Sequence, residues 1–212
     1  MKFNDVINIE EEIKNYGKNN IVVFDIDDCI LHADSSMIKI WKIKDGKETS
    51  LSTDQFAKDP DKGKDGVEYS YREFRDPVKV RNSIINGTPI IKNLRILDAN
   101  INAGYKFAFL TARGLENVVA QSIQDFIKVR DKNGNLRELG NEYRKGLSAA
   151  INDDLKVYPG ANDPEKKANV LRKLCSQFDR VKYIDDDLKN VTAARALRLP
   201  NLQVIQAHKY GE

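Results

Sequence analysis

Four short runs, Ile21 to Phe24, Lys106 to Leu110, Val181 to Ile184 and Leu202 to Ile205, are apolar almost throughout and rich in β-branched or aromatic residues. Continuous apolar runs of this length predict parallel strands buried on both faces. The first three end directly in a polar residue: Asp25, Thr111 and Asp185. A weaker fifth run, Leu155 to Tyr158, ends at Pro159-Gly160.

Helical spacing falls between these runs. Pro89 to Asn102 places Ile90, Ile91, Leu94, Leu97 and Ile101 on one face and stops at Ala103-Gly104. Leu115 to Val129 repeats the pattern through Val118, Val119, Ile123, Phe126 and Ile127. Asp163-Pro164-Glu165 reads as an N-cap with Pro at the first helical position, followed by an apolar face of Ala168, Leu171, Leu174 and Phe178. Strands alternating with helices predict an α/β fold with a central parallel sheet covered on both sides.

Two segments depart from the alternation. Met37 to Leu51 reads as a β-hairpin turning at Lys44-Asp45-Gly46, and polar Gln55 to Val67 as a loop. Both lie between the first strand and the Pro89 helix, where a plain crossover needs far fewer residues. A further polar stretch, Arg130 to Asp154, reads as a loop and short helix extending another edge.

Composition narrows the class without naming it. Among 212 residues, 35 Lys and Arg face 32 Asp and Glu, a balance too mild to argue for nucleic acid. Cys29 and Cys175 stand far apart without metal-ligand spacing, which suggests a reducing compartment and no disulfide framework. No apolar run approaches the ~20 residues that span a membrane. The first 20 residues are polar, with an acidic middle, and do not read as a signal peptide. The expectation is a cytoplasmic protein without a membrane partner.

Ligands of parallel α/β sheets bind beyond the carboxyl ends of the strands, so residues that follow the apolar runs should converge. These are Asp25 with Asp27, then Thr111, then Asp185 with Asp186, joined by Lys167 from the start of its helix. Clustered carboxylates repel one another unless a cation neutralises them, and an all-oxygen acidic site suits Mg²⁺. The Thr hydroxyl and Lys ammonium add donors for phosphoryl oxygens.

These residues resemble the motifs of the haloacid dehalogenase (HAD) superfamily. FDIDDCIL is similar to its first motif through Asp25, Asp27 and Cys29, and FLTAR to its second through Thr111. DPEKKANVLRKL resembles the third, a phosphate-binding lysine, and YIDDDLKN the fourth, an acidic pair after a strand. The likeness runs over about residues 20 to 206, with the motifs in the family's order. It implies a HAD-type, Rossmann-like three-layer domain, with residues 1–33 and 88–212 as catalytic core. Residues 34–87 would be a small cap insertion containing the hairpin.

Roles follow from the resemblance residue by residue. Asp25 would attack phosphorus, giving an aspartyl-phosphate. Asp27 would protonate the leaving oxygen and later activate water. Asp25, Asp27 through its backbone carbonyl, Asp185 and Asp186 would hold Mg²⁺; Thr111 and a lysine would bind the phosphoryl group. Helical phase selects Lys167, which shares a face with Leu171, Leu174 and Phe178, over Lys166, which aligns with Val170, Lys173 and Gln177. Cys29 stands where Thr is common, as a packing substitute or a point of oxidation sensitivity.

The same residues admit other readings. An EF-hand fails, because Ile30 and Ser36 occupy its Gly and Glu positions. A receiver domain would place its second acidic element before the lysine, whereas here it follows. Arg113 reads as a substrate contact or as a solvated or helix-start residue, Asn190 as a support of the metal site or not, and Asp187 as a loop or cap residue. Trp41 reads as hairpin packing or a base-stacking residue, while His32 and His208 default to structure.

The functional expectation is a Mg²⁺-dependent phosphomonoester hydrolase acting on a phosphorylated small molecule, a nucleotide or a nucleic-acid phosphate end. The hairpin region and YREFRDP are similar to small HAD-type proteins of tailed bacteriophages, which places such a chain in the host cytoplasm. The alternative is a HAD-fold binding or structural component with a phage-particle or homo-oligomeric partner.

Overall fold

The computed structural model describes residues 19–128 and 156–211. The expected loop and short helix of residues 130–154, the basic run Arg130 to Lys132 and residues 1–18 lie outside them.

Five parallel strands form the central sheet: β1 (Asn20–Phe24), β7 (Lys106–Leu110), β8 (Lys156–Tyr158), β9 (Arg180–Asp185) and β10 (Leu202–Gln206). They stand in the order β10-β9-β1-β7-β8. All five apolar runs are therefore strands, and Phe24 pairs with Phe109 on one side and Ile184 on the other. Alternation along each strand sorts their side chains by face. Val22, Phe24, Phe107 and Phe109 enter one buried cluster, and Ile21, Val23, Ala108 and Leu110 enter the other.

Between β1 and β7 the chain builds β2 (Leu31–His32), β3 (Ile40–Lys44), β4 (Lys47–Leu51), α1 (Thr53–Ala57), β5 (Val67–Ser70), α2 (Pro77–Ile85), β6 (Thr88–Pro89) and α3 (Ile91–Asn102). The remaining helices are α4 (Glu116–Lys128), α5 (Pro164–Cys175) and α6 (Leu188–Ala196). Val80 and Ile84 of α2, Leu94 and Leu97 of α3, and Val119, Ile123 and Phe126 of α4 cover the first sheet face. Leu171 and Leu174 of α5 and Ala194 of α6 cover the second. The architecture is thus α/β, with a parallel sheet flanked by helices. Each fully buried Val, Leu or Phe in these clusters contributes about 1.5–3 kcal/mol of transfer free energy.

The hairpin is present as β3 and β4, turning at Asp45 and Gly46, which both take positive φ. It gains a third antiparallel strand, β5, on the far side of β3. The polar segment read as a loop from Gln55 begins inside a helix: Ser52 caps α1, accepting from the Gln55 N–H while the Gln55 side chain accepts from the Ser52 N–H. The reciprocal pair overrides the segment's polar composition. Helix α2 was also not foreseen; Asp76 caps it, with Pro77 at its first turn. Gly87, just after α2, is closely approached: a Cβ there would lie 2.8 Å from Leu31 Cδ1. Among the described residues, no helix is long and apolar enough to cross a membrane.

Candidate active site

The order of the strands creates the site. From β1 the chain moves outward to β7 and β8, then returns to lay β9 on the opposite side of β1. Such a reversal opens a crevice at the carboxyl ends of the two strands it separates, here β1 and β9. Asp25 follows β1 directly, Asp185 ends β9, and Thr111 follows neighbouring β7. Lys167 lies in the first turns of α5, the helix leading into β9, and points inward as its phase predicts.

Lys167 Nζ lies 3.0 Å from Asp25 Oδ1 and 2.8 Å from Asp185 Oδ2, with all three side chains almost fully enclosed. Carboxylate oxygens of Asp25, Asp185 and Asp186 lie within 4.8 Å of one another. Asp185 is completely buried and accepts from four donor groups. Its Oδ2 accepts from Lys167, the Tyr183 hydroxyl and Asn190 Nδ2; its Oδ1 accepts from the Asp187 N–H and Asn190 Nδ2. A carboxylate that leaves water needs such compensation.

Asp27 enters from the turn after β1. The N–H groups of Cys29, Ile30 and Leu31 all donate to Ile26 O, and Asp28 takes a positive φ, which folds the chain back on itself. Asp27 is fixed by Arg113, whose Nε and Nη2 reach both carboxylate oxygens at 2.5 to 3.1 Å. Arg113 Nη1 meets Ser83 Oγ at 2.5 Å. Thr111 Oγ1 accepts from the Arg113 N–H at 3.1 Å, so its own hydroxyl proton remains available to an incoming oxygen.

Burial pushes the Asp25 carboxyl up to about 8; Lys167 opposes this, while Asp185 and Asp27 add to it. Burial, then Asp185 and Asp28, push Asp186 up to about 7. Burial works against the Lys167 ammonium, but Asp25 and Asp185 outweigh it and hold that group above the usual lysine range. Burial, followed by Asp25 and Asp185, raises the Cys29 thiol well above its usual value. A fully enclosed, protonated thiol donating toward Ile184 O at 3.6 Å packs the site rather than reacting there.

The residues fit a divalent metal. With all four carboxylates (Asp25, Asp27, Asp185 and Asp186) ionised, the two cations Lys167 and Arg113 leave two negative charges, which protons on Asp25 and Asp186 otherwise remove. Hard oxygen donors and a residual charge of this size suit Mg²⁺.

All six residues singled out from sequence stand at or beside the crevice. Arg113 is buried rather than solvated, and it holds Asp27. Asp187 caps α6, accepting from the Lys189 N–H. Asn190 does support Asp185. Trp41 donates from Nε1 to Glu73 and carries the Arg72 guanidinium over its ring, a packing role. His32 pairs with Asp28 at 2.5 Å and stacks on Tyr210, whereas His208 engages Asn93 only through its backbone. Tyr183 was missed, although a signal existed: it lies two residues before Asp185 on the same strand face, and a buried tyrosine needs a partner. No protein-family model matches the chain, and no curated protein matches it either.

Proposed function

We propose that the chain is a Mg²⁺-dependent phosphomonoester hydrolase of the HAD type, acting on a nucleotide, another small phosphoester or a nucleic-acid phosphate end. The observation that carries this reading is the Lys167 ammonium held between Asp25 and Asp185, at 3.0 and 2.8 Å, in the crevice beside Asp186. A structural ion pair requires neither the extra carboxylates nor a position at the sheet's reversal point.

In this reading Asp25 attacks phosphorus, and the ester bond to the leaving oxygen breaks as Asp27 delivers a proton to it. Asp27 then takes a proton from the water that cleaves the aspartyl-phosphate, returning Asp25 as a carboxylate. Lys167 and the Thr111 hydroxyl donate to phosphoryl oxygens and so stabilise charge in the transition state. Asp25, Asp185, Asp186 and the Asp27 backbone carbonyl would hold Mg²⁺, which supplies charge neutralisation for the phosphoryl oxygens. Arg113 keeps Asp27 aimed at the leaving oxygen.

Release of p-nitrophenol from p-nitrophenyl phosphate tests the proposal. Turnover should require Mg²⁺ and disappear in Asp25→Asn, while the variant still melts cooperatively. Near-wild-type turnover in that variant removes Asp25 as the nucleophile.

A further inference from the structure

A cavity of about 250 Å³ lies beside Asp27, between the sheet domain and the 34–87 segment. Asp27 lines it, whereas Asp25 and Lys167 do not. If Asp27 protonates the leaving oxygen, the phosphoryl group sits outside this cavity and the departing alcohol sits within it. The site's chemistry therefore assigns the cavity to the leaving group, an assignment that rests on the phosphomonoesterase reading above.

Its walls are of two kinds. Ala33, Met37 and Phe74 supply apolar surface, Met37 and Phe74 from the segment that interrupts the core. Asp28 and Asp34 join Asp27 as carboxylates. The Ser36 N–H donates to Asp34 Oδ1 at 2.7 Å, which fixes that carboxylate in place. Hydrogen bonds from Ser36 also hold the Asp34 carboxyl below its usual range, so it is charged near neutral pH. Among the described lining residues Arg113 is the sole cation, and its charge is already paired with Asp27. No lining cation is left to receive an anionic group. The volume falls below the roughly 300–1,000 Å³ of pockets for drug-sized ligands, so it admits one ring or a short chain.

We infer that the substrate's leaving group is small, with an apolar or flat face for Met37 and Phe74, and carries no second anionic group. Uncharged or cationic alcohols and phenols fit, including the sugar end of a mononucleoside. This narrows the substrates proposed above: bisphosphates, polyphosphates and nucleic-acid ends, which bring another phosphate close to the scissile ester, are selected against by Asp28 and Asp34, and the small phosphoesters remain.

Calorimetric binding of phosphonates in the presence of Mg²⁺ tests this without depending on turnover. The series is methylphosphonate, benzylphosphonate, 4-carboxybenzylphosphonate and 4-(aminomethyl)benzylphosphonate. Benzylphosphonate should bind more tightly than methylphosphonate, and Phe74→Ala should erase most of that gain. The carboxylate analogue should bind about tenfold more weakly than benzylphosphonate, the size expected for one poorly screened like-charge contact. The ammonium analogue should bind at least as well as benzylphosphonate. Asp34→Asn should shrink the carboxylate penalty to about threefold. Equal or tighter binding of the carboxylate analogue, no gain from the ring, or no binding by any of the four overturns the inference. So does a penalty that Asp34→Asn and Asp28→Asn both leave unchanged. The ligand ranking in the wild type stands even if a variant fails to fold. The two readings also fail separately: the ranking without phosphatase turnover sinks the proposed reaction alone, and turnover without the ranking sinks only the pocket.

Discussion

Arg113 holds Asp27 across 86 positions of sequence, with Nε 3.1 and 2.9 Å from the two carboxylate oxygens and Nη2 2.5 Å from Oδ1. Its remaining arm meets Ser83 Oγ on α2, so the helix that precedes β6 steadies the group proposed to move protons. A planar fork fixes both the distance and the rotation of a carboxylate, which a lysine cannot do.

Arg113→Lys should therefore retain the charge and lose the alignment. We expect kcat on p-nitrophenyl phosphate to fall about 100-fold, within the range of a general acid–base contribution, with KM changed little. Steady-state kinetics checks this. A change confined to KM would show that Arg113 binds substrate rather than aiming Asp27.

The raised carboxyls predict a pH dependence of the metal-free protein. Asp25 and Asp186 rise from a usual 3.8 to about 8 and about 7 in the fold. Between about pH 4 and those values the native state binds more protons than the unfolded chain, so stability falls as pH rises. Melting temperature in chelator should decline from pH 5 to pH 8. Added Mg²⁺ competes with those protons, so its stabilising effect should be larger at pH 8 than at pH 6. Thermal melts across pH with and without Mg²⁺ would sink this reading if the metal's effect were independent of pH.

Tyr183→Phe removes one donor from a carboxylate with no access to water. The expected cost is about 1–3 kcal/mol. That corresponds to a fall in Tm of about 2–4 °C per kcal/mol for a chain of this size. Differential scanning calorimetry checks it, and an unchanged Tm would mean that Asn190 and Lys167 already satisfy Asp185 unaided.

Lys167→Met leaves Asp25 and Asp185 facing each other without their shared cation. Breaking a buried pair in this way costs about 3–5 kcal/mol, and we expect the loss to be largest in chelator and partly recovered by excess Mg²⁺. Turnover should remain low even at saturating Mg²⁺, because the phosphoryl oxygens have lost a donor. Recovery of full turnover with the metal would show that Lys167 serves the fold and not the reaction.

Much of this site could be read from the chain because parallel strands advertise their ends. A strand buried on both faces is apolar throughout, so the first polar residue after it marks the sheet's working edge, as at Asp25 and Thr111. The phase of α5 likewise separated Lys167 from Lys166, because only one of them shares a stripe with Leu171 and Leu174. Helices α1 and α2 carried local signals that their polar composition concealed: Ser52 with Gln55 forms a capping box, and Asp76-Pro77 repeats the start of α5. The Arg113–Asp27 pair had no local signal, since its partners meet only through the placement of β1 and β7. Strand β5 was hidden for a similar reason: Val67–Ser70 is short and partly exposed, and it becomes a strand by pairing with β3.

The bridging position of Lys167 bears on the order of events in the life of the molecule. Its ammonium, together with protons retained on Asp25 and Asp186, supplies a provisional set of counter-charges from the chain itself. Folding can therefore run to completion before any divalent ion arrives, unlike a small zinc module whose collapse awaits its metal. On the proposed Mg²⁺ dependence, a cell poor in magnesium would hold this protein assembled and idle, and loading would convert it to the working form without a folding step.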